Sequence, residues 1–373
     1  MPPPPPPPEA PPAAPVAVAA PMAPAAPAAG PKFTWGGLVD MYYMYLLNPA
    51  DMSSTMEGTV GRAFDTNTNS FTTNLAMLSL NAAMDPVAFQ LDMGYGAMGS
   101  IINNAQVGGM LPASPVPGSF VLLQAYGTIT AMTNGPMALT FDFGKFYTTA
   151  GAEVIPANKN WLYSRSLLFN AIPLLHTGAR VNLKVNDMVS LQGSVVNGWN
   201  DDPDVNAWKT VGLSASVTIN PMVSLIGTTY FGKEAPQNAM GVPLGSTPND
   251  LRLLVDIVAA LTLSDKLGIN VNADYIKAFD NVADDYLIGV AAMARYVIND
   301  HVNVAARGEW VRQHIADANA DAMEGTVMVG FPVGKNFELR PEFRIDHLFQ
   351  DATFTNNGKS DQITGTLAAL TYF

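Results

Sequence analysis

The stretch Phe337-Glu338-Leu339-Arg340-Pro341-Glu342-Phe343-Arg344-Ile345-Asp346 decides the fold. Phe337, Leu339, Phe343 and Ile345, continued by Phe349, alternate with Glu338, Arg340, Glu342, Arg344 and Asp346. A period of two places the first set on one face of a strand and the second on the other, so one face is oily and the other ionic. Outward from here the same split recurs. Val302, Val304, Ala306 and Trp310 oppose Asn303, Arg307, Glu309 and Gln313; Leu267, Ile269, Val271 and Tyr275 oppose Asn270, Asn272 and Asp274. Nearer the N-terminus, Leu175, Val181, Leu183 and Val185 oppose His176, Arg180, Asn182 and Lys184, and Val87, Phe89, Leu91, Met93 and Tyr95 oppose Gln90 and Asp92.

The punctuation alternates as well. Tight turns read at Asp85-Pro86, Asn134-Gly135-Pro136, Asn186-Asp187, Asn220-Pro221, Asp265-Lys266, Asn299-Asp300 and Gly334-Lys335. Between them lie longer stretches, over approximately 47–69, 100–119, 148–173, 200–207, 233–249, 280–284, 315–320 and 350–361. A first strand from Phe33 and a last one ending at Phe373 bring the count to about sixteen, each near the ten or more residues that cross a bilayer at a tilt. An even count leaves both ends on one side.

Composition explains why such strands need lipid. The 373 residues carry a net charge of -12 but only 13% charged residues and 48% hydrophobic ones. Soluble domains carry about 25% charged residues, so this chain lacks polar cover for its outside. Apolar runs are interrupted every few positions by Asn, Thr, Gly, Pro or Asp, which excludes helical spans of about 20 residues. The plain alternative is half of a secreted soluble β-sandwich, but sandwich strands average about 5 to 6 residues and do not alternate short turns with long loops. In hydrocarbon a sheet must close and leave no edge. Charges such as Arg340, Glu342 and Arg344 then line a watery lumen and escape the cost of burial. The expected fold is all-β: a transmembrane antiparallel up-and-down β-barrel of about 16 strands over 32–373. It follows a disordered Pro/Ala-rich segment over 1–31 with seven consecutive prolines, read as an extended periplasmic linker. Trp35, Tyr42, Tyr43, Tyr45, Phe146, Tyr147, Tyr230, Phe231, Tyr372 and Phe373 read as aromatic belts near strand ends. A terminal aromatic is similar to the C-terminal signal of bacterial outer-membrane proteins, which sets the expected location.

The run Gly144-Lys145-Phe146, Glu153, Asn160, Tyr163-Ser164-Arg165-Ser166, Phe169, Pro173, His176-Thr177-Gly178-Ala179-Arg180 resembles the signature stretch of the OmpL-like outer-membrane β-barrel porin family. Arg62-Ala63-Phe64-Asp65 with Phe71, Asn74, Leu75 and Leu78-Ser79-Leu80, and Val39-Asp40 with Tyr42 and Tyr43, resemble that family's first loop and first strands. Met77 stands where the family pattern carries a carboxylate. The resemblance implies a diffusion channel and names no solute.

Several chemical readings compete. Gly94, Gly96 and Gly99 spell G-x-G-x-x-G after a strand, but Asn103, Asn104, glycines and prolines follow where a dinucleotide turn needs a helix, so no helix and no nucleotide are expected. His176, His301, His314 and His347 are scattered and cysteine is absent, so metal catalysis and cofactors are not expected. Ser166 with His176 is the one pairing a barrel hydrolase would use, and its structural reading is preferred. Asp201, Asp202 and Asp204 offer calcium-type oxygens but read first as a solvated loop tip. The acidic balance excludes nucleic acid as a partner. Expected partners are outer-membrane lipid and small hydrophilic solutes or ions, with a homo-oligomer left open.

The permeation residues follow from parity and loop length. The 148–173 connection is long enough to fold inward and carries Glu153, Lys159 and Arg165; the wall across from it presents Asp142, Arg180, Lys184, Arg295, Arg307, Glu309, Arg340, Glu342 and Arg344. Opposed charges at a constriction orient water and select solutes. The alternative for the wall charges is pairing across neighbouring strands. The mixed, slightly acidic set gives an expected mild cation preference. A plugged barrel that displays its loops is the rival from another class.

Overall fold

A computed structural model describes residues 30–49, 58–106, 116–234, 237–239, 242–244, 250–279, 285–315, 318–350, 352–354 and 357–373. The Pro/Ala reading of 1–31 lies outside these up to residue 29, as does the 280–284 connection. The strands are β1 Lys32–Leu46, β2 Ser70–Met84, β3 Val87–Gly96, β4 Ser119–Asn134, β5 Met137–Tyr147, β6 Leu175–Lys184, β7 Val189–Val196, β8 Thr210–Asn220 and β9 Val223–Glu234. They continue as β10 Gln237–Ala239, β11 Val242–Leu244, β12 Asp250–Thr262, β13 Leu267–Phe279, β14 Tyr286–Asn299, β15 Val302–Ile315, β16 Ala318–Val333, β17 Phe337–Leu348 and β18 Asp361–Tyr372. Sixteen of them close into an antiparallel barrel in sequence order, while β10 and β11 form a separate hairpin.

Closure is made by β1 against β18, from Leu38 opposite Tyr372 to Leu46 opposite Thr364. At the seam Gly37 and Phe373 exchange two backbone bonds of 3.2 Å. A Cβ on Gly37 would meet the Phe373 ring at 2.7 Å, so glycine makes room there for the chain end. The outer Phe373 ring packs edge-on against Trp35 with centroids 5.0 Å apart.

The strand faces are sorted as the period of two requires. On β17 Glu338, Arg340, Glu342, Arg344 and Asp346 are buried inside the barrel, whereas Phe343 and Ile345 face outward. Val327, Val333 and Leu367 continue the apolar exterior, each half-exposed or more. An outside made of Val, Leu, Ile and Phe around a charged inside is the inverse of a water-soluble sheet.

Two readings need correction. Tyr42, Phe146 and Tyr230 are inward and buried, each at 2% exposure, and so are not belt residues. Trp35, Tyr45, Phe231 and Phe373 do face outward; the same parity that sorts the charges sorts the rings. The glycine motif is followed by a helix after all, α1 Ala97–Ala105. Its nine residues fall short of the roughly 12 that hold a helix alone, and packing supplies the rest. Met98, Ile101 and Ile102 bury against Leu75, Val121 and Leu123. Gly96 adopts φ +154°, and a Cβ on Gly99 would stand 2.2 Å from the Ser119 carbonyl oxygen, so these glycines serve a tight strand-to-helix passage.

Candidate functional site

The connection from β5 to β6 folds into the barrel. It begins where the Thr148 N–H donates to the Leu174 carbonyl at 3.0 Å and contains a 3-10 turn, Ala157–Lys159, and a short helix α2, Leu167–Ala171. Ser166 caps α2, its Oγ accepting from the Phe169 N–H at 3.0 Å. Trp161, Leu162, Leu167, Leu168 and Ile172 of this segment pack against Leu254, Val258, Ile276, Leu287 and Val311 of the wall, filling that side of the lumen with a dry apolar cluster.

Wall charges hold the segment's backbone. Glu309 accepts from the Leu167 and Leu168 N–H groups, both at 2.7 Å, at the start of α2 where a carboxylate suits the helix dipole. Glu342 accepts from the Tyr163 and Ser164 N–H groups at 2.7 and 3.0 Å. Arg340 donates to the Ala157 and Asn160 carbonyls at 2.9 and 3.0 Å, and Arg344 to the Arg165 carbonyl at 2.5 Å. Arg307 donates to the Ser164 carbonyl at 2.8 Å and pairs with Glu153 at 3.0 Å. Near the segment's root the Asn272 Oδ1 accepts from the Ala152 N–H at 3.1 Å.

These residues belong to a buried chain of alternating sign. Asp65 meets Arg62 at 2.8 Å, Arg62 meets Asp346 at 2.6 Å, and Asp346 meets Arg344 at 2.6 Å. Arg344 lies 3.7 Å from Glu324, which holds Arg307 at 2.8 Å, and Arg307 holds Glu153. Arg340, Glu342 and Arg344 therefore meet protein partners where water was expected, and each burial is compensated by a hydrogen-bonded ion or dipole. Sequence parity placed these side chains inward but carried no sign that a segment would meet them. That sign existed in β12 and β13: Leu254, Val258 and Ile276 are apolar on the lumen face, which calls for an apolar cover.

The three charges on the segment separate. Glu153 is buried against Arg307. Arg165 is buried too, donating to the Val154 carbonyl at 3.1 Å and the Ile155 carbonyl at 2.5 Å and standing over the Phe64 and Phe169 rings. Burial lowers its guanidinium pKa, an effect opposed by the fields of Glu153 and Asp40. Lys159 is exposed and faces a cavity of about 540 Å³ between the segment and the opposite wall. From the wall come Ser79, Gln90, Asp92, Gln124, Tyr126 and Arg180, and from the segment Thr149, Pro156, Asn158 and Lys159. Asp142 and Arg180 pair at 2.7 Å on this side. Lys184 lies at the short-turn end, paired with Asp187 at 2.7 Å, and Arg295 is half-buried on β14 with its Nε lacking a partner among the described residues.

The other chemical readings resolve locally. His176 meets the Gly198 carbonyl at 3.0 Å and the Thr148 Oγ1 at 3.3 Å, so it does not pair with Ser166. Asp202 pairs with Lys145 at 3.1 Å and Asp204 with Lys209. Asp201 is buried, so it is no solvated loop tip, and no group of carboxylates that could hold a metal ion forms among the described residues.

The sequence model of a family described as "Putative beta-barrel porin-2, OmpL-like" matches residues 32–373. No curated protein matches the chain. Among solved structures, OmpT, an outer membrane protein of Vibrio cholerae, superposes with a TM-score of 0.60 at 13% identity, covering 93% of this chain and 98% of that one. An anion-selective porin from Comamonas acidovorans gives 0.59 at 10% identity over 92% and 100% of the two chains. OprB of Pseudomonas putida gives 0.52 at 12% identity over 92% and 94%. At these identities the likeness is one of fold.

Proposed function

The chain belongs to the OmpL-like β-barrel porin family, and from that premise we propose that it is a passive diffusion channel for small hydrophilic solutes or ions. It is a porin-type barrel of the bacterial outer membrane, its apolar band against lipid. The observation that carries the channel reading is the cavity of about 540 Å³ left beside the inserted segment, whose mixed lining sets Gln90, Asp92, Gln124, Lys159 and Arg180 beside Leu38, Met77 and Val154. Loop insertion narrows the lumen and leaves a one-sided passage, which favours small solutes over large ones. No covalent chemistry is part of the proposal, since Ser166 is engaged as a helix cap and His176 is engaged elsewhere.

Liposome swelling in sugars of rising size tests it. Swelling rates that fall steeply with solute size are expected; liposomes that do not swell while the protein is folded would overturn it. A plugged barrel is the second reading, and the dry cluster of Trp161, Leu162 and Leu168 against the β12–β15 wall is what favours it.

A further inference from the structure

We infer that the cavity beside the inserted segment is a binding station for small oxyanions, carboxylates or phosphates, with the Lys159 ammonium and the Arg180 guanidinium as its cationic donors. The inference rests on the channel reading and names the solute class that the passage prefers.

The charged groups around the cavity differ in how far protein partners already engage them. Asp92, the carboxylate on the cavity wall, already accepts from the Ser79 Oγ at 2.5 Å, the Gln90 Nε2 at 2.6 Å and the Gln124 Nε2 at 2.7 Å. Asp142 behind it accepts from the Thr128 Oγ1 at 2.6 Å, the Arg180 Nε at 2.7 Å and the Asn182 Nδ2 at 2.9 Å. Both carboxylates thus have most of their acceptor sites taken by protein donors, and Asp142 is further neutralised by Arg180.

The cations are in the opposite condition. Arg180 commits its Nε to Asp142, while its remaining donors meet no second carboxylate among the described residues. Stacking on Phe146, 4.2 Å from the ring centroid, and on Tyr126, at 5.1 Å, fixes the plane of its guanidinium. Lys159 makes no ion pair or side-chain hydrogen bond among the described residues. Its backbone is nonetheless held, because its N–H donates to the Pro156 carbonyl at 3.1 Å and Arg340 grips the carbonyls of Ala157 and Asn160. A fixed backbone carrying a free ammonium is a preorganised anion contact.

Charge arithmetic agrees. Among the charged residues lining the cavity, Asp92 stands against Lys159 and Arg180, and Asp142, outside the lining, pairs with Arg180, in a chain whose total is -12. The cavity is therefore far less acidic than the chain as a whole, and Lys159 is its charged donor without an ion-pair partner among the described residues. This opposes the mild cation preference read from sequence, which counted side chains without knowing which were already committed.

Planar bilayers holding the full chain in a potassium chloride gradient test the inference. The wild type is expected to prefer chloride, Lys159→Glu to move the permeability ratio towards potassium by roughly fivefold, and millimolar succinate or inorganic phosphate to reduce chloride current in the wild type alone. Steps that favour potassium, with a ratio unmoved by Lys159→Glu, would overturn the anion station and leave the channel standing. If no steps appear the channel reading falls; calorimetry with succinate in detergent then decides the station. Binding that Lys159→Gln abolishes supports it, and no binding overturns it.

Discussion

Arg307 shows what a charge needs in order to live inside this barrel. Its guanidinium reaches Glu324, Glu153 and the Ser164 carbonyl while fully buried. Removing it would leave Glu153 without its cation and Glu324 with only the Arg344 guanidinium, 3.7 Å away. Arg307→Ala is expected to cost on the order of 3–5 kcal/mol, read as an earlier transition in heat-modifiable gel mobility; an unshifted transition would show that the ion chain adds no stability. A second residue offers a pH test outside the strands. Burial, reinforced by the Glu234 carboxylate, raises Asp201 from 3.8 to about 7. Both carboxylates converge on Gly198, where a Cβ would stand 2.4 Å from the Asp201 Oδ2 and 2.8 Å from the Glu234 Oε2. The folded state holds a proton here that the unfolded chain releases above about 4, so this contribution to stability is lost as pH rises through that window to about 7. Asp201→Asn should match the wild type at pH 4 and exceed it at pH 8, by an amount on the order of 1–3 kcal/mol, measured by urea unfolding at the two pH values.

At the scale of elements, the inserted segment is held by paired backbone contacts from two strands, β15 through Glu309 and β17 through Glu342. Replacing both carboxylates with amides keeps size and shape but weakens four charge-assisted bonds. Glu309→Gln with Glu342→Gln is expected to give larger and noisier conductance with the barrel intact; conductance identical to the wild type would mean that the apolar cluster alone fixes the segment. This element also marks the limit of what the sequence discloses. A period of two is imposed by strand geometry on every residue, so strand faces, turn positions and the inward set Arg307, Glu309, Arg340, Glu342 and Arg344 are legible one strand at a time. What those side chains touch depends on a segment more than a hundred residues away, and no local period encodes that. Helix α1 runs against the expectation of no helix: Met98, Ile101 and Ile102 keep helical spacing, but the glycines, asparagines and prolines around them read as loop.

The whole molecule is an inverted protein, apolar outside and ionic within, and its two faces should answer differently to charge. Val327 on β16 faces outward at 57% exposure. Val327→Arg should destabilise the barrel by about 2–4 kcal/mol near mid-bilayer, as followed by urea titration in lipid vesicles; a neutral result would place that face in water. The segment meets β12 to β15 through one apolar cluster, and through Ile155 and Phe169 it joins a second with Leu38, Leu75, Val121 and Leu123, while a cavity of mixed lining remains beside β1 to β6. Whether that cavity runs through the barrel is the point on which the functional account stands. Single-channel recording of the folded wild-type protein in planar bilayers tests it most directly. The account predicts discrete, repeatable current steps at fixed voltage, and a silent membrane containing correctly folded protein would contradict it.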